Sequence, residues 1–164
     1  MALNQNFQIG NSFDTQTVDL GGVKKVWRRI DEQLPGGYHV TNMSDFATPG
    51  KIQAGMAVVK DTTSGADARD VKVLTWAQIK TAITGQSPAG IDSLNIIGFT
   101  QEDVPVFSKT VSSSTVYNYG TCNIVVKGEL YGYMLGATVT DATAISAAVK
   151  GMTQKNGLAI RVID

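Results

Sequence analysis

The chain has 164 residues, of which 43% are hydrophobic and 17% are charged; the charged fraction lies below the ~25% that is usual for globular domains. Its 14 basic and 14 acidic residues cancel, which argues against a nucleic-acid-binding domain. No apolar run approaches the ~20 residues that a membrane-spanning helix needs. The single cysteine, Cys122, excludes an internal disulfide and a cysteine-based zinc site.

Residues 1–22 differ in composition from the rest of the chain. Asn, Gln, Thr, Asp and Gly dominate there, and the few apolar residues are too isolated to build a core. Two interpretations remain open: a disordered terminus, or an extended arm that becomes ordered on a neighbouring subunit. In the second, the partner-binding residues are Phe7, Ile9, Phe13 and Val18. The segment has no signal-peptide pattern, so synthesis in a cytoplasm is expected.

Residues 23–30 are the most basic stretch. Helical spacing fits them, but the segment is short and follows two glycines, so we favour a strand. In a strand, Val26 and Arg28 would lie on one face and Trp27 and Arg29 on the other. Acidic residues follow at once, so no basic field of the kind that binds nucleic acid builds up. The segment is therefore expected to be a charged edge that is either solvated or faces a partner subunit; in the second case Trp27, Arg28 and Arg29 are partner-binding residues.

The element around which the chain is organised is a short strand that follows a glycine corner. Pro49-Gly50 is a turn signal, and Gly55 precedes an apolar run at residues 56–59 that is typical of a buried strand. Further strands are predicted at residues 38–41, 71–74, 91–99 and 158–163. A hairpin is predicted between residues 115–119 and 123–126, across Gly120-Thr121 and after a flexible polar loop at 112–114.

Two helices interrupt the strands. Thr75-Trp-Ala-Gln78 is a capping box, which predicts the start of a helix. The apolar stripe of this helix includes Ile79, and Gly85 is expected to end the helix. A second short helix is predicted at residues 141–150, ended by Gly151. The pattern as a whole predicts a mainly β fold, a compact β-barrel or β-sandwich-like domain with two short helices and an extended N-terminal arm. The domain division is 1–22 for the arm and 23–164 for a single β-rich domain.

Residues that carry chemistry are few. His39 is the only histidine and is expected to be structural, since no nucleophile lies beside it in the sequence. Glu102 and Asp103 are adjacent, so on a strand they would point to opposite faces, whereas an acid/base pair needs both aimed at one substrate. No phosphate-binding glycine loop occurs. We expect no enzyme, no cofactor, no metal site and no catalytic residue.

Three motifs at residues 49–61, 96–104 and 123–130 carry a family resemblance. They are Pro49-Gly50 with Ala54-Gly-Met-Ala-Val-Val-Lys-Asp61, Ile96-Ile-Gly-Phe-Thr-Gln-Glu-Asp-Val104, and Asn123-Ile-Val-Val-Lys-Gly-Glu-Leu130. The chain resembles the capsid decoration proteins of tailed bacteriophages, also called head-stabilising, cement or head fibre proteins, over about residues 38–135. The first 37 residues and the helix at 141–150 depart from that pattern.

The resemblance implies a structural virion protein. It would be made in the host bacterial cytoplasm, bind the outer surface of an assembled phage capsid and stabilise contacts between major capsid subunits. Its expected partners are the phage major capsid protein and further copies of itself, with a trimer as one option, and neither nucleic acid nor membrane. The alternative is the base or adhesion module of a head fibre that binds a host-surface glycan or receptor, with Tyr117, Tyr119, Tyr131 and Tyr133 stacking on sugars.

Overall fold

The computed structural model describes residues 26–83, 95–136 and 139–164. The predicted mainly β fold with two helices is confirmed. The strands are β1 (Trp27–Gln33), β2 (Tyr38–Val40), β3 (Lys51–Ile52), β4 (Ala57–Lys60), β5 (Asp70–Val73), β6 (Ile96–Thr100), β7 (Val104–Pro105), β8 (Ser108–Val111), β9 (Ser114–Tyr117), β10 (Gly120–Cys122), β11 (Ile124–Tyr131) and β12 (Ala159–Ile163). The helices are α1 (Trp76–Ile83) and α2 (Val139–Asn156). The predicted arm at residues 1–22 lies outside the described residues.

The main sheet has the order β1-β11-β6-β4-β5-β2-β10, with β12 paired in parallel to β11. The sheet curls into a half-barrel. Two short ribbons, β3 with β7 and β8 with β9, stand apart from it. Helices α1 and α2 pack against each other, and an ion pair between Lys80 and Asp141 joins them. Ile79 of α1 and Ile145 of α2 belong to the same buried core as the sheet.

The predicted organising strand is confirmed. Gly55 has a φ of +82°, which favours glycine, and its absent Cβ leaves room for Val26 and Leu135. Strand β4 follows two residues later and pairs with β6 on one side and β5 on the other. Ala57 and Val58 are completely buried. A strand covered on both faces needs such a continuous apolar run.

Thr100, at the end of β6, is a buried polar residue that fixes this corner. Its hydroxyl donates to the carbonyl of Gln53 at 2.7 Å and accepts from the backbone N–H of Met56 at 3.0 Å. Its carbonyl accepts from the Gly55 N–H at 2.9 Å and from the Trp27 indole at 3.0 Å. Because each of these polar groups is paired inside the protein, the corner is held without loss of hydrogen bonds on burial.

The first helix begins as predicted. The Thr75 N–H donates to Oε1 of Gln78 at 2.8 Å, and the Gln78 N–H donates to the Thr75 hydroxyl at 3.3 Å. These reciprocal bonds are the two halves of a capping box. The predicted end at Gly85 lies outside the described residues.

The predicted end of the second helix at Gly151 is wrong, and so is its description as short. Helix α2 has 18 residues and ends at Asn156. Gly151 is exposed on the helix surface, while its neighbour Met152 continues the buried stripe. The C′ glycine is Gly157, with a φ of +64°; it donates to the carbonyl of Gln154, and Leu158 donates to that of Thr153. This pair of bonds is a Schellman motif.

The predicted hairpin is also wrong. Residues of β9 pair with β8, so the chain turns at Ser112-Ser113 and not at Gly120-Thr121. Strand β10 instead pairs antiparallel with β2, and β11 pairs with β1, β6 and β12. The local signals at Gly120 predicted a turn, but pairing with strands distant in sequence placed these residues in the main sheet. Strand β11 continues through Gly128 and is followed by a 3₁₀ turn at Gly132–Met134.

Candidate functional site

The β8–β9 hairpin is the most exposed element of the described sheets. Its register pairs Lys109 with Val116 and Val111 with Ser114. Ser112 and Ser113, at its tip, both have positive φ values of 47° and 70°. Two positive φ values are what a two-residue type I′ turn requires, and this turn follows the natural twist of the paired strands.

Opposite residues of an antiparallel pair point to the same face, so the register divides the hairpin into two faces. One, here called the hairpin face, consists of Lys109, Val111, Ser114 and Val116. Val111 is 49% exposed and Val116 is 55% exposed. The opposite face carries Tyr117, which is half-buried and packs against the core. The hairpin therefore packs against the core through Tyr117 at its base and presents two apolar side chains to solvent on the hairpin face.

Asn118 fixes the base of the hairpin. Its Oδ1 accepts from the Phe107 N–H at 2.8 Å, and its backbone N–H donates to the Phe107 carbonyl at 3.0 Å. Its Nδ2 donates to the Pro105 carbonyl at 3.1 Å. Asn118 thus joins the end of β9 to the residue before β8 and to β7. An isolated two-stranded ribbon is only marginally stable in water, so these bonds set the direction in which the hairpin face points.

Next to the hairpin lies a cleft of about 510 Å³, here called the aromatic cleft. It is lined by β2, by the start of β5 and the turn before it, and by β10 and the residue that precedes it. Its polar and aromatic side chains are His39, Asp67, Arg69, Asp70, Tyr119 and Thr121. The sheet explains why they meet, because His39 pairs with Asp70 of β5 on one side and with Thr121 of β10 on the other.

His39 is oriented by its neighbours in the cleft. Its Nδ1 lies 2.9 Å from Oδ1 of Asp70, and its ring stacks on that of Tyr119 with centroids 4.0 Å apart and planes 6° from parallel. The other carboxylate oxygen of Asp70 accepts from the Asp67 N–H at 2.8 Å. That backbone bond lowers the pKa of Asp70 most, and the bond to His39 lowers it further. Asp70 is therefore an ionised carboxylate that accepts a hydrogen bond from the Nδ1–H of His39.

The predicted contact residues on β1 differ in how far they are buried. Trp27 is only 6% exposed, and its indole N–H donates to the Thr100 carbonyl, so its side chain belongs to the buried core. Arg28 and Arg29 are both exposed, and they form ion pairs with Glu129 (3.3 Å from Arg28) and Asp31 (2.9 Å from Arg29). The strict alternation predicted for these residues fails because the pairing of β1 with β11 shifts register between positions 27 and 29. Phe7, Ile9, Phe13 and Val18 lie outside the described residues.

His39, Glu102 and Asp103 make separate sets of contacts. Asp103 accepts from Lys51 Nζ at 3.1 Å and from the Ala54 N–H at 2.8 Å. Glu102 accepts from Asn123 at 3.1 Å. Each side chain has a local structural role of this kind. Sequence reasoning treated His39 as a solitary strand residue and missed its partners, because Asp70 and Tyr119 are distant from it in the chain.

Other ionisable groups serve the fold. Burial by itself would raise the pKa of Asp61, but hydrogen bonds from Thr41 and Thr63 and the contact with Lys72 outweigh it and hold that pKa well below its usual range. Burial, followed by the charge of Glu102, raises the pKa of the Cys122 thiol to about 12. In the described ranges, no group of His, Cys, Asp and Glu is placed to hold a metal ion. No helix among the described residues has the length and apolar character to cross a membrane.

Comparisons with protein-family models, curated proteins and solved structures give no match for this chain.

Proposed function

We propose that this chain is a structural virion protein that binds the outer surface of an assembled phage capsid and stabilises contacts between major capsid subunits. The motif resemblance suggests the class of protein. The hairpin face is the observation that carries the proposal. Val111 and Val116 are two of four exposed large apolar side chains in the described residues, and they stand together on an anchored, projecting ribbon. Such a feature is typical of a contact with another protein.

The contact is modest in each copy. Burying the exposed half of Val111 and of Val116 would contribute about 1 kcal/mol each, from the usual value for a whole valine side chain. Neighbouring polar residues Lys109 and Ser114 supply hydrogen-bond donors at the rim. A protein that binds the closed shell and not its separate subunits stabilises the shell by mass action. The stabilising free energies of the many copies bound to one capsid then add together.

The N-terminal arm is proposed as a second contact. Its spaced apolar residues, Phe7, Ile9, Phe13 and Val18, would become ordered on a neighbouring subunit. Arg28 and Arg29 follow it on β1, where their ion pairs with Asp31 and Glu129 leave them as charged residues at the rim of the contact.

Co-sedimentation tests the proposal. Capsids assembled from the major capsid protein of the same genome are mixed with this protein and pelleted, and bound protein is measured over a concentration series. Val116→Asp places a charge on the hairpin face and should weaken binding at least ~10-fold, which corresponds to about 1.4 kcal/mol. Tyr133→Asp is the matched control, since Tyr133 is 54% exposed on a different part of the surface. Removal of residues 1–22 tests the arm separately.

Two results would count against the proposal. One is absence of the wild-type protein from the capsid pellet. The other is equal binding by wild type, the Val116→Asp variant and the protein without residues 1–22, which would leave neither proposed contact in use.

A further inference from the structure

We infer that the aromatic cleft is a binding site for a neutral sugar ring. This site lies outside the hairpin face and goes beyond the proposed capsid contact. Its volume of about 510 Å³ falls within the range of small-molecule pockets, ~300–1,000 Å³. Its lining combines an exposed aromatic ring with several polar groups, the combination by which pockets orient small polar ligands.

The aromatic ring is that of Tyr119. The side chain is 74% exposed, the largest value among the exposed large hydrophobic residues described. His39 covers one face of the ring by parallel stacking at 4.0 Å, so the other face is open to a ligand. The bond from His39 to Asp70 in turn holds the imidazole in place. Tyr119 is therefore a supported platform, and the C–H-rich face of a sugar ring can pack on the negative face of such a ring.

The polar groups around the platform are mixed in kind. Asp67 and Asp70 offer carboxylate oxygens, Arg69 offers guanidinium N–H groups, and Thr121 offers a hydroxyl. Neither Asp67 nor Arg69 forms an ion pair with any other described residue. Adjacent hydroxyl groups of a sugar donate and accept at once, which matches carboxylates and a guanidinium side by side.

The charge of the lining selects against other ligands that stack on aromatic rings. Two carboxylates and one guanidinium leave the cleft with an excess of negative charge, which opposes the phosphates of a nucleotide or nucleic acid. Arg69 in turn opposes a cationic amine that Tyr119 and the carboxylates would otherwise attract. A neutral polyhydroxyl ring fits both constraints.

The guanidinium of Arg69 lies close to the backbone of Gly36, where a side chain would leave no room for it. A Cβ on Gly36 would lie 2.8 Å from Nη1 of Arg69, and Gly36 has a φ of +81°. Glycine at this position thus serves both the turn and the close approach of the guanidinium. The Arg69 carbonyl also accepts from the His39 N–H at 3.0 Å, so its backbone is fixed to β2.

Chemical-shift titration of the ¹⁵N-labelled full chain tests the inference. The probes are the methyl glycosides of glucose, galactose, mannose, rhamnose and N-acetylglucosamine, each up to about 50 mM. At least one should shift the amide signals of Gly37, His39 and Thr121, with a Kd on the order of 1–10 mM for an open site and a small ligand. Tyr119→Ala should weaken that binding at least ~10-fold, whereas Tyr119→Phe, which keeps the ring, should stay within about twofold.

Tyr133→Ala is the matched control, because it removes an exposed tyrosine outside the cleft, and it should bind as wild type does. The inference is overturned if none of the five glycosides shifts the cleft signals, if the Tyr119→Ala variant binds as tightly as wild type, or if adenosine monophosphate or a lysine-containing peptide binds more tightly than every sugar. Val116→Asp separates this site from the proposed capsid contact: it should weaken capsid co-sedimentation and keep sugar binding, whereas Tyr119→Ala should weaken sugar binding and keep capsid co-sedimentation.

Discussion

Replacing Thr100 with Val tests how much its buried hydroxyl contributes to the free energy of unfolding. This hydroxyl joins the end of β6 to the residues just before β4. Valine keeps the shape of the side chain but removes the bonds to Met56 and Gln53. The N–H of buried Met56 then has no acceptor, at a cost of about 1–3 kcal/mol, and the half-buried Gln53 carbonyl adds up to ~1 kcal/mol. We expect the free energy of unfolding to fall by about 2–4 kcal/mol and Tm to fall by about 5–15 °C for a chain of this size.

Urea unfolding followed by the combined fluorescence of Trp27 and Trp76 measures this change. Thr110→Val is the control, since Thr110 is exposed on the hairpin and the same substitution there should change stability by less than about 0.5 kcal/mol. Thr100→Ser keeps the hydroxyl and should lose only about 1 kcal/mol for its missing methyl group. A Thr100→Val variant within 0.5 kcal/mol of wild type, by the same order-of-magnitude scale, would refute the reasoning.

Three further predictions concern the end of α2 and two buried ionisable groups. Gly151→Ala, at an open helix-surface position, should raise stability by about 0.5–1 kcal/mol, whereas Gly157→Ala, at a φ of +64°, should lower it by about 1 kcal/mol; thermal unfolding of both variants checks the opposite signs. The pKa of Asp61 is lower in the folded than in the unfolded chain, so its contribution to stability is present above about pH 4 and lost as pH falls. Asp61→Asn should accordingly lower stability at pH 7 and flatten its decline in acid, and parallel slopes of the two proteins below pH 4 would contradict this. Cys122 should resist a thiol-specific reagent such as DTNB at pH 8 in the native protein and react on unfolding, because it is buried and its pKa is about 12; rapid reaction of the native protein would count against this environment.

The features that could be predicted from the sequence are those encoded by neighbouring residues. The capping box of Thr75 and Gln78 needs only a spacing of three, and the corner at Gly55 needs only a glycine before an apolar run. Both were located correctly. The end of α2 was predicted incorrectly because Gly151 and Gly157 carry the same local signal. Only the buried stripe that continues through Met152 distinguishes them.

The hairpin and the cleft depended on contacts that no short motif encodes. The turn at Ser112-Ser113 lacks the Asn-Gly or Asp-Gly signal of a type I′ turn, so nothing marked it as the hairpin tip. Strand alternation alone could not tell that Val116 faces solvent while Tyr117 faces the body. In the cleft, Tyr119 had been singled out as a residue that can stack on sugars, but its partnership with His39 arises from the order of the main sheet.

Strand β11 has a consequence for how the molecule reaches its native state. It pairs with β1 near the start of the described chain, with β6 in the middle and with β12 at the far end. Because these partner strands are synthesised at different times, part of the hydrogen-bonding edge of β11 stays unpaired until the last partner, β12, has been made. Pairings this remote slow the search for the native arrangement. At high expression levels, self-association during that waiting period would compete with completion of the sheet.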